Sequence, residues 1–280
     1  MSTDIKKQAS ELTGLSKLLF DRGVYLWYSA LVIEIIAGIL AVGVSLCDLD
    51  RSWSIFLATI GLMLLVGAYC LKIRFAVVYD NAETMRRQAV FSNALGWPIS
   101  RNQFSEWRLL SGKKIISQLD KQEVDPNYFA TQETIGPVRL LEMTQESAFW
   151  TRHLYCYLRT YVWILFVVVC LIFSLVLIFS ATDFAPKSIE LNLVFIITQL
   201  VPLVLTVDLL GWGIKLNKLI KSIGQIESDL ERLDSTTTSF EHEVLRLVAE
   251  YNCQVVSGFP TPSWFFNKHH DQIQSLWNRR

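Results

Sequence analysis

This chain has no CxxC pair, no GxSxG, no glycine-rich phosphate loop and no HExxH. Its five cysteines (Cys47, Cys70, Cys156, Cys170 and Cys253) are scattered. That spacing argues against a zinc ribbon or a disulfide scaffold and suits a reducing compartment. Isolated cysteines of this kind act as small hydrophobes. His269-His270 and Glu241-His242-Glu243 lack metal-ligand spacing, so neither a metal nor a cofactor is expected. No nucleophile is paired with a base, which argues against an enzyme. Charge of one sign is also missing: 26 Lys+Arg balance 26 Asp+Glu, so net charge points to no partner, and neither DNA nor RNA is expected. Strand-like alternation of useful length is absent as well, which leaves an all-α chain.

What the sequence has is apolar length. Of 280 residues, 51% are hydrophobic and mean hydropathy is +0.33, a positive average that soluble domains rarely show. Four segments are long and apolar enough to cross a bilayer core of about 30 Å. They are Val24–Leu46, Ser52–Leu71, Thr160–Ser180 and Ile189–Gly211. CDLDR joins the first pair and ATDFAPK the second, making two helical hairpins. Basic residues set the orientation. Lys6, Lys7, Lys17 and Arg22 precede span one, and Lys72, Arg74, Arg86 and Arg87 follow span two. Arg152 and Arg159 precede span three, and Lys215, Lys218 and Lys221 follow span four. The hairpin tips hold only Arg51 and Lys187, against Asp48, Asp50, Asp183 and Glu190. Both termini and the middle segment are therefore expected in the cytoplasm of a multi-pass membrane protein. A cleaved signal is not expected, because the charged leader is long and VSLC at 44–47 places Leu46 where a small residue is needed.

The expected fold is an all-α integral membrane protein with a helical cytoplasmic domain built from the middle segment and the tail. Its parts are an N-terminal helix (1–23), hairpin one (24–71), the middle segment (72–159), hairpin two (160–211) and the tail (212–280). The helix leaving span two should stop at Gly96, with Pro98 beyond it. Ser100-x-x-Gln103 is a capping box for a helix reaching about Gln118. Gly136-Pro137 opens a helix that runs without a breaker into span three. In the tail, Leu216, Leu219, Ile223, Ile226, Leu230 and Leu233 are spaced 3, 4, 3, 4, 3, a heptad-type seam. It reads either as an amphipathic face packed on the chain's own middle segment or as a subunit-joining coiled coil. Thr238-x-x-Glu241 caps a further helix, whose Phe240, Val244, Leu247 and Tyr251 resume the spacing.

Polar residues within the apolar runs are candidates for function. Glu34 falls mid-span, where an ionised carboxylate costs a few kcal/mol, so it is expected protonated or paired. Ala30, Gly38 and Ala41 share its face and imply close helix packing. By depth, Thr59 and Gln199 are its expected partners, and Pro202 frees a backbone carbonyl nearby. These four residues form an expected polar spot at a pore or gate, or a structural hydrogen bond between helices. Before span three, QESAFWTRHL (145–154) places Arg139, Glu142, Glu146 and His153 on one helix face and Gln145, Arg152 and Arg159 on another. This stretch reads as a helix for binding and transmission. The middle segment holds 12 Lys/Arg against 9 Asp/Glu, a mild excess able to neutralise a phosphate. Glu83, Arg86 and Arg87 form an i, i+3, i+4 set: a surface ion-pair group or part of an anion site.

GPVRLLEMTQESAFWTRHL, FPTPSWFF, AETMRRQAV and the two-plus-two spans together resemble the bacterial four-transmembrane effectors of cyclic-oligonucleotide anti-phage signalling (CBASS; the SMODS-associating 4TM effectors). The resemblance covers most of the chain and transfers no ligand or catalytic residue. It implies an effector that answers a cyclic nucleotide made upon infection by compromising the inner membrane, a form of abortive infection. Its partners would be the lipid bilayer, further copies of itself and the cyclic oligonucleotide. By residue type alone, Arg86, Arg87, Arg139 and Arg152 are the expected phosphate contacts, with Tyr128 or Trp150 stacking on a base. The competing reading is a constitutive scaffold, or a transporter or channel accessory subunit without a nucleotide ligand.

Overall fold

A computed structural model of the chain describes residues 2–46, 50–121, 129–181, 208–233 and 239–280. No strand occurs among them. The helices are α1 (Ser2–Leu46), α2 (Arg51–Leu95), α3 (Arg101–Ser111), α4 (Lys113–Leu119), α5 (Pro137–Ala181), α6 (Leu209–Glu231), α7 (Phe240–Val256) and α8 (Ser263–Trp277). The chain forms two compact units. The first comprises Met1–Val24, Phe75–Cys156 and Lys218–Arg280; the second comprises Tyr25–Arg74 and Tyr157–Asn217. α1, α2 and α5 supply residues to both.

Glycines set two of the helix ends. Gly96 takes φ +70°, a left-handed conformation that stops α2 and that an L side chain adopts only with strain. Its N–H donates to the Ser92 carbonyl at 3.0 Å. Gly112, at φ +81°, splits the single helix expected from Ser100 to Gln118 into α3 and α4. The capping box there is incomplete: the Ser100 side chain makes no cap bond, and its carbonyl accepts the Phe104 N–H at 2.9 Å. Thr238 lies outside the described residues; α7 begins at Phe240. α5 opens on Pro137, and the Gly136 N–H before it donates to the Ala94 carbonyl at 2.8 Å, tying the α2 end to the α5 start.

In the first unit, Leu12, Leu15 and Leu19 of α1 pack with Ala82, Met85 and Ala89 of α2, Trp107 of α3, and Ile115 and Leu119 of α4. A second cluster joins Ala94, Leu140 and Met143 to Phe240, Val244 and Val248 of α7, with Leu233 packed against it. The tail seam is spent inside the chain. Leu216, Leu219, Ile223, Ile226 and Leu230 are all buried, Leu216 and Ile223 completely. Of the two readings of the Leu216, Leu219, Ile223, Ile226, Leu230 and Leu233 stripe, this burial favours the amphipathic face packed within the chain. Heptad spacing requires a stripe to be covered, but it does not say by which chain.

The second unit is built the other way round. Its buried residues on α1 and α2 include the small Ala30, Ala37 and Ala68, each at most 4% exposed. Its large apolar side chains, among them Ile35, Ile39, Phe56, Leu62, Met63, Val66, Ile164 and Val168, face outward. Such an arrangement in water would expose far more apolar surface than a soluble fold tolerates, and it suits lipid. Three helices, α1, α2 and α5, are long and apolar enough to cross a bilayer. The expected fourth span, Ile189–Gly211, lies outside the described residues except for its last four.

Because the seam is internal, Ile223→Ala is expected to destabilise the fold by about 2–5 kcal/mol, the cost of a core cavity. The expected readout is a lower thermal midpoint in detergent, with no change in particle mass by light scattering. A change in mass at an unchanged midpoint would favour the subunit-joining reading instead.

Candidate functional site

Glu227 organises the first unit. It lies on the apolar face of α6, one turn after Ile223, and is 3% exposed. A carboxylate buried there without a partner would cost several kcal/mol. Two arginines compensate it. Arg280, just past α8, donates from Nη1 to Glu227 Oε1 at 2.7 Å. Arg152 of α5 brings Nη1 to 3.0 Å from Oε2, an ion-pair contact without hydrogen-bond alignment. Gly224, one turn earlier on α6, clears the way: a Cβ there would sit 3.3 Å from Arg152 Cδ. Arg280 also pairs with Glu231 and lies over the rings of Phe149 and Trp277, at 5.5 and 5.6 Å.

These residues border an open cleft of about 520 Å³. Phe149, Arg152 and His153 of α5 form one wall; Glu227, Ser228 and Glu231 of α6 face Arg279 and Arg280. His153 Nδ1 is 2.8 Å from the Phe149 carbonyl of its own helix, and its ring lies 4.1 Å from the Phe149 ring. Three guanidiniums and two carboxylates thus meet at a site with an aromatic wall. Such a set can take up an anion if a ligand oxygen replaces a glutamate oxygen on an arginine. Among the described residues, no three His, Cys, Asp or Glu gather closely enough to hold a metal ion.

Of the arginines expected to contact phosphate, only Arg152 lines this cleft. Arg86 bonds Glu83 Oε2 and Asn252 Oδ1, each at 3.0 Å, and lies 5.9 Å over the Tyr251 ring. Burial by itself would lower its pKa; Glu83 and Tyr251 outweigh that and hold it above the ordinary value. Glu83 is buried, so the expected surface ion-pair set is an interior tie between α2 and α7. Arg87 reaches the Glu83 carbonyl at 3.3 Å and Thr84 Oγ1 at 3.4 Å. Arg139 grips Asn93 Oδ1 (3.2 and 2.8 Å) and the Glu133 carbonyl (2.6 Å). Trp150 stacks on Phe266 at 5.4 Å with His270 beside it, away from the cleft lining. Tyr128 lies outside the described residues. Sequence reasoning missed Glu227, Arg279 and Arg280. The available signal was the acid within the seam: a carboxylate on an apolar helix face demands a buried cation.

In the second unit Glu34 is 5% exposed, and its Oε1 pairs with Lys72 Nζ at 2.6 Å. Thr59, the partner expected by depth, is exposed and bonds the Ile55 carbonyl of its own helix at 2.8 Å. Depth misled because it was counted along Cα positions, whereas a lysine side chain extends more than a helical turn from its own Cα. Gln199 and Pro202 lie outside the described residues.

Two outcomes follow. Lys72→Met alone is expected to lower the thermal midpoint more than Lys72→Met with Glu34→Gln, because the single change strands a buried carboxylate; equal losses would deny the pair a structural role. Glu146 accepts the Ala130 N–H at 3.0 Å, but burial outweighs that bond and raises its pKa. A raised folded value gives a contribution that is complete below the unfolded value and is lost as pH rises through the folded one. Glu146→Gln is therefore expected to gain stability relative to wild type at pH 7, a gap that closes on acidification in fluorimetric melts; a gap independent of pH would refute this assignment. No family model, curated protein or solved structure matches this chain, so its function rests on the geometry described here.

Proposed function

We propose that this chain is a membrane effector of a bacterial anti-phage system, gated by a cyclic nucleotide bound in the Arg152–Arg280 cleft. On binding, it oligomerises and permeabilises the inner membrane. In this reading the chain makes four crossings, with Ile189–Gly211 as the fourth, and the first unit faces the cytoplasm. The observation that carries it is the buried Glu227 carboxylate neutralising two arginines at the edge of an open cleft.

The mechanism follows from competition. Without ligand, Glu227 holds α5, through Arg152, to α6. A phosphodiester offers oxygens in a similar fork and competes for the same guanidiniums. His153, half-buried in the cleft wall and backed by Phe149, presents ring surface to a base. The ligand shifts the equilibrium only by its differential affinity for the two states, and the Arg152–Glu227 contact is what differs between them. α5 runs without interruption from the cleft residues into the apolar stretch, so a change at Arg152 is carried along a rigid element.

The test uses the full chain in nanodiscs for binding and in dye-loaded liposomes for leakage, with a panel of cyclic di- and trinucleotides. Arg152→Ala and Arg280→Ala are each expected to weaken binding by about 10- to 150-fold, the range for a charge-assisted hydrogen bond. Glu227→Gln should raise affinity, because it removes the competing carboxylate. Absence of nucleotide binding and leakage in wild type, with Glu227→Gln without effect, would overturn the proposal. That outcome would favour the constitutive scaffold or accessory subunit, a reading supported by the internal neutralisation of Arg152 and Arg280.

A further inference from the structure

The corner between α3 and α4 carries an exposed apolar pair. Trp107 and Ser111 of α3 and Ile115 and Leu119 of α4 face inward. Trp107, Ile115 and Leu119 pack with Leu12, Leu15 and Leu19 of α1. Arg108 Nη1 adds an ion pair to Glu11 of α1 at 3.4 Å. The corner is thus held on the first unit by its inner face. Its outer face presents Leu109, 80% exposed, and Leu110, 53% exposed, beside the left-handed turn at Gly112. Lys113 and Lys114, both exposed, open α4 just after the pair, and the described corner also carries exposed Arg101 and Lys121 against exposed Glu106 and Asp120.

We infer that this corner docks on an anionic lipid surface, with Leu109 and Leu110 entering the headgroup boundary and Lys113 and Lys114 meeting lipid phosphates. Three observations select lipid as the occupant. Leucine at the centre with lysine at the rim is the pattern of an interfacial membrane anchor. Lysine is depleted in protein–protein interfaces, and among the described residues of α3 and α4 no aromatic side chain is exposed to anchor a protein partner. A bilayer is also always at hand for a chain with three helices able to cross one, so even a weak contact is made at high effective concentration. The inference does not depend on a nucleotide ligand.

The experiment places an environment-sensitive fluorescent amino acid at position 110 of the full chain, leaving Leu109 in place. Nanodiscs are made either of phosphatidylcholine alone or with a substantial fraction of phosphatidylglycerol, each with and without brominated acyl chains. Blue-shifted emission quenched by bromine in the anionic discs is expected, with a smaller effect in the neutral ones. Lys113→Gln with Lys114→Gln should lower the docked-to-free ratio by about 25-fold, about fivefold per lysine near an anionic surface. Both positions are exposed, so the variant keeps its fold. Polar, unquenched emission in anionic discs would overturn the inference. So would quenching indifferent to lipid charge and to the lysines, or a blue shift that grows with protein concentration without bromine quenching, which would mark a second copy as the occupant.

Discussion

A carboxylate buried on an apolar helix face is the constraint on which the first unit turns. Glu227 would be ruinous on α6 without compensation, and the fold supplies it from two directions in sequence, α5 and the residue run after α8. Meeting that need brings Arg152, Arg280 and the Phe149 ring to one place and leaves an open cleft between them. The cations are held in position by a group that a ligand anion can replace. A site with bare arginines would bind anions without a conformational consequence; a site whose arginines are already paired couples binding to a broken contact.

The second unit solves a related problem in a different solvent. Ala30, Ala37 and Ala68 are buried on α1 and α2, and the buried Glu34 has Lys72 as its counter-charge. The bulky aliphatic residues turn outward because lipid, unlike water, does not penalise them. Each unit therefore contains, among its described residues, a nearly buried glutamate paired with a basic residue distant in sequence.

Much of the local architecture was legible in the residues. The stop at Gly96, the start at Pro137 and the unbroken passage from Pro137 to Ala181 follow from backbone chemistry that acts within a few residues. The split at Gly112 was equally local, and it was missed because the Ser100 capping signal suggested a longer helix than a left-handed glycine allows. The site was less legible. Arg86, Arg87, Arg139 and Arg152 are alike as sequence, yet the first three are taken up by Glu83, Asn252, Thr84, Asn93 and backbone carbonyls, and only the fourth borders the cleft.

The sequence alone determined most of the helical stretches, which stripes must be covered, and which segments are long and apolar enough to cross a bilayer, because periodicity and hydropathy are properties of a segment by itself. Only the tertiary structure decided what covers each stripe and what neutralises each buried charge. The seam from Leu216 to Leu230 found its cover within the chain, Glu34 found Lys72, and Glu227 found Arg152 and Arg280. The physical reason is that a buried ion pair joins side chains distant in sequence, and its members are selected by three-dimensional proximity, which no local pattern encodes.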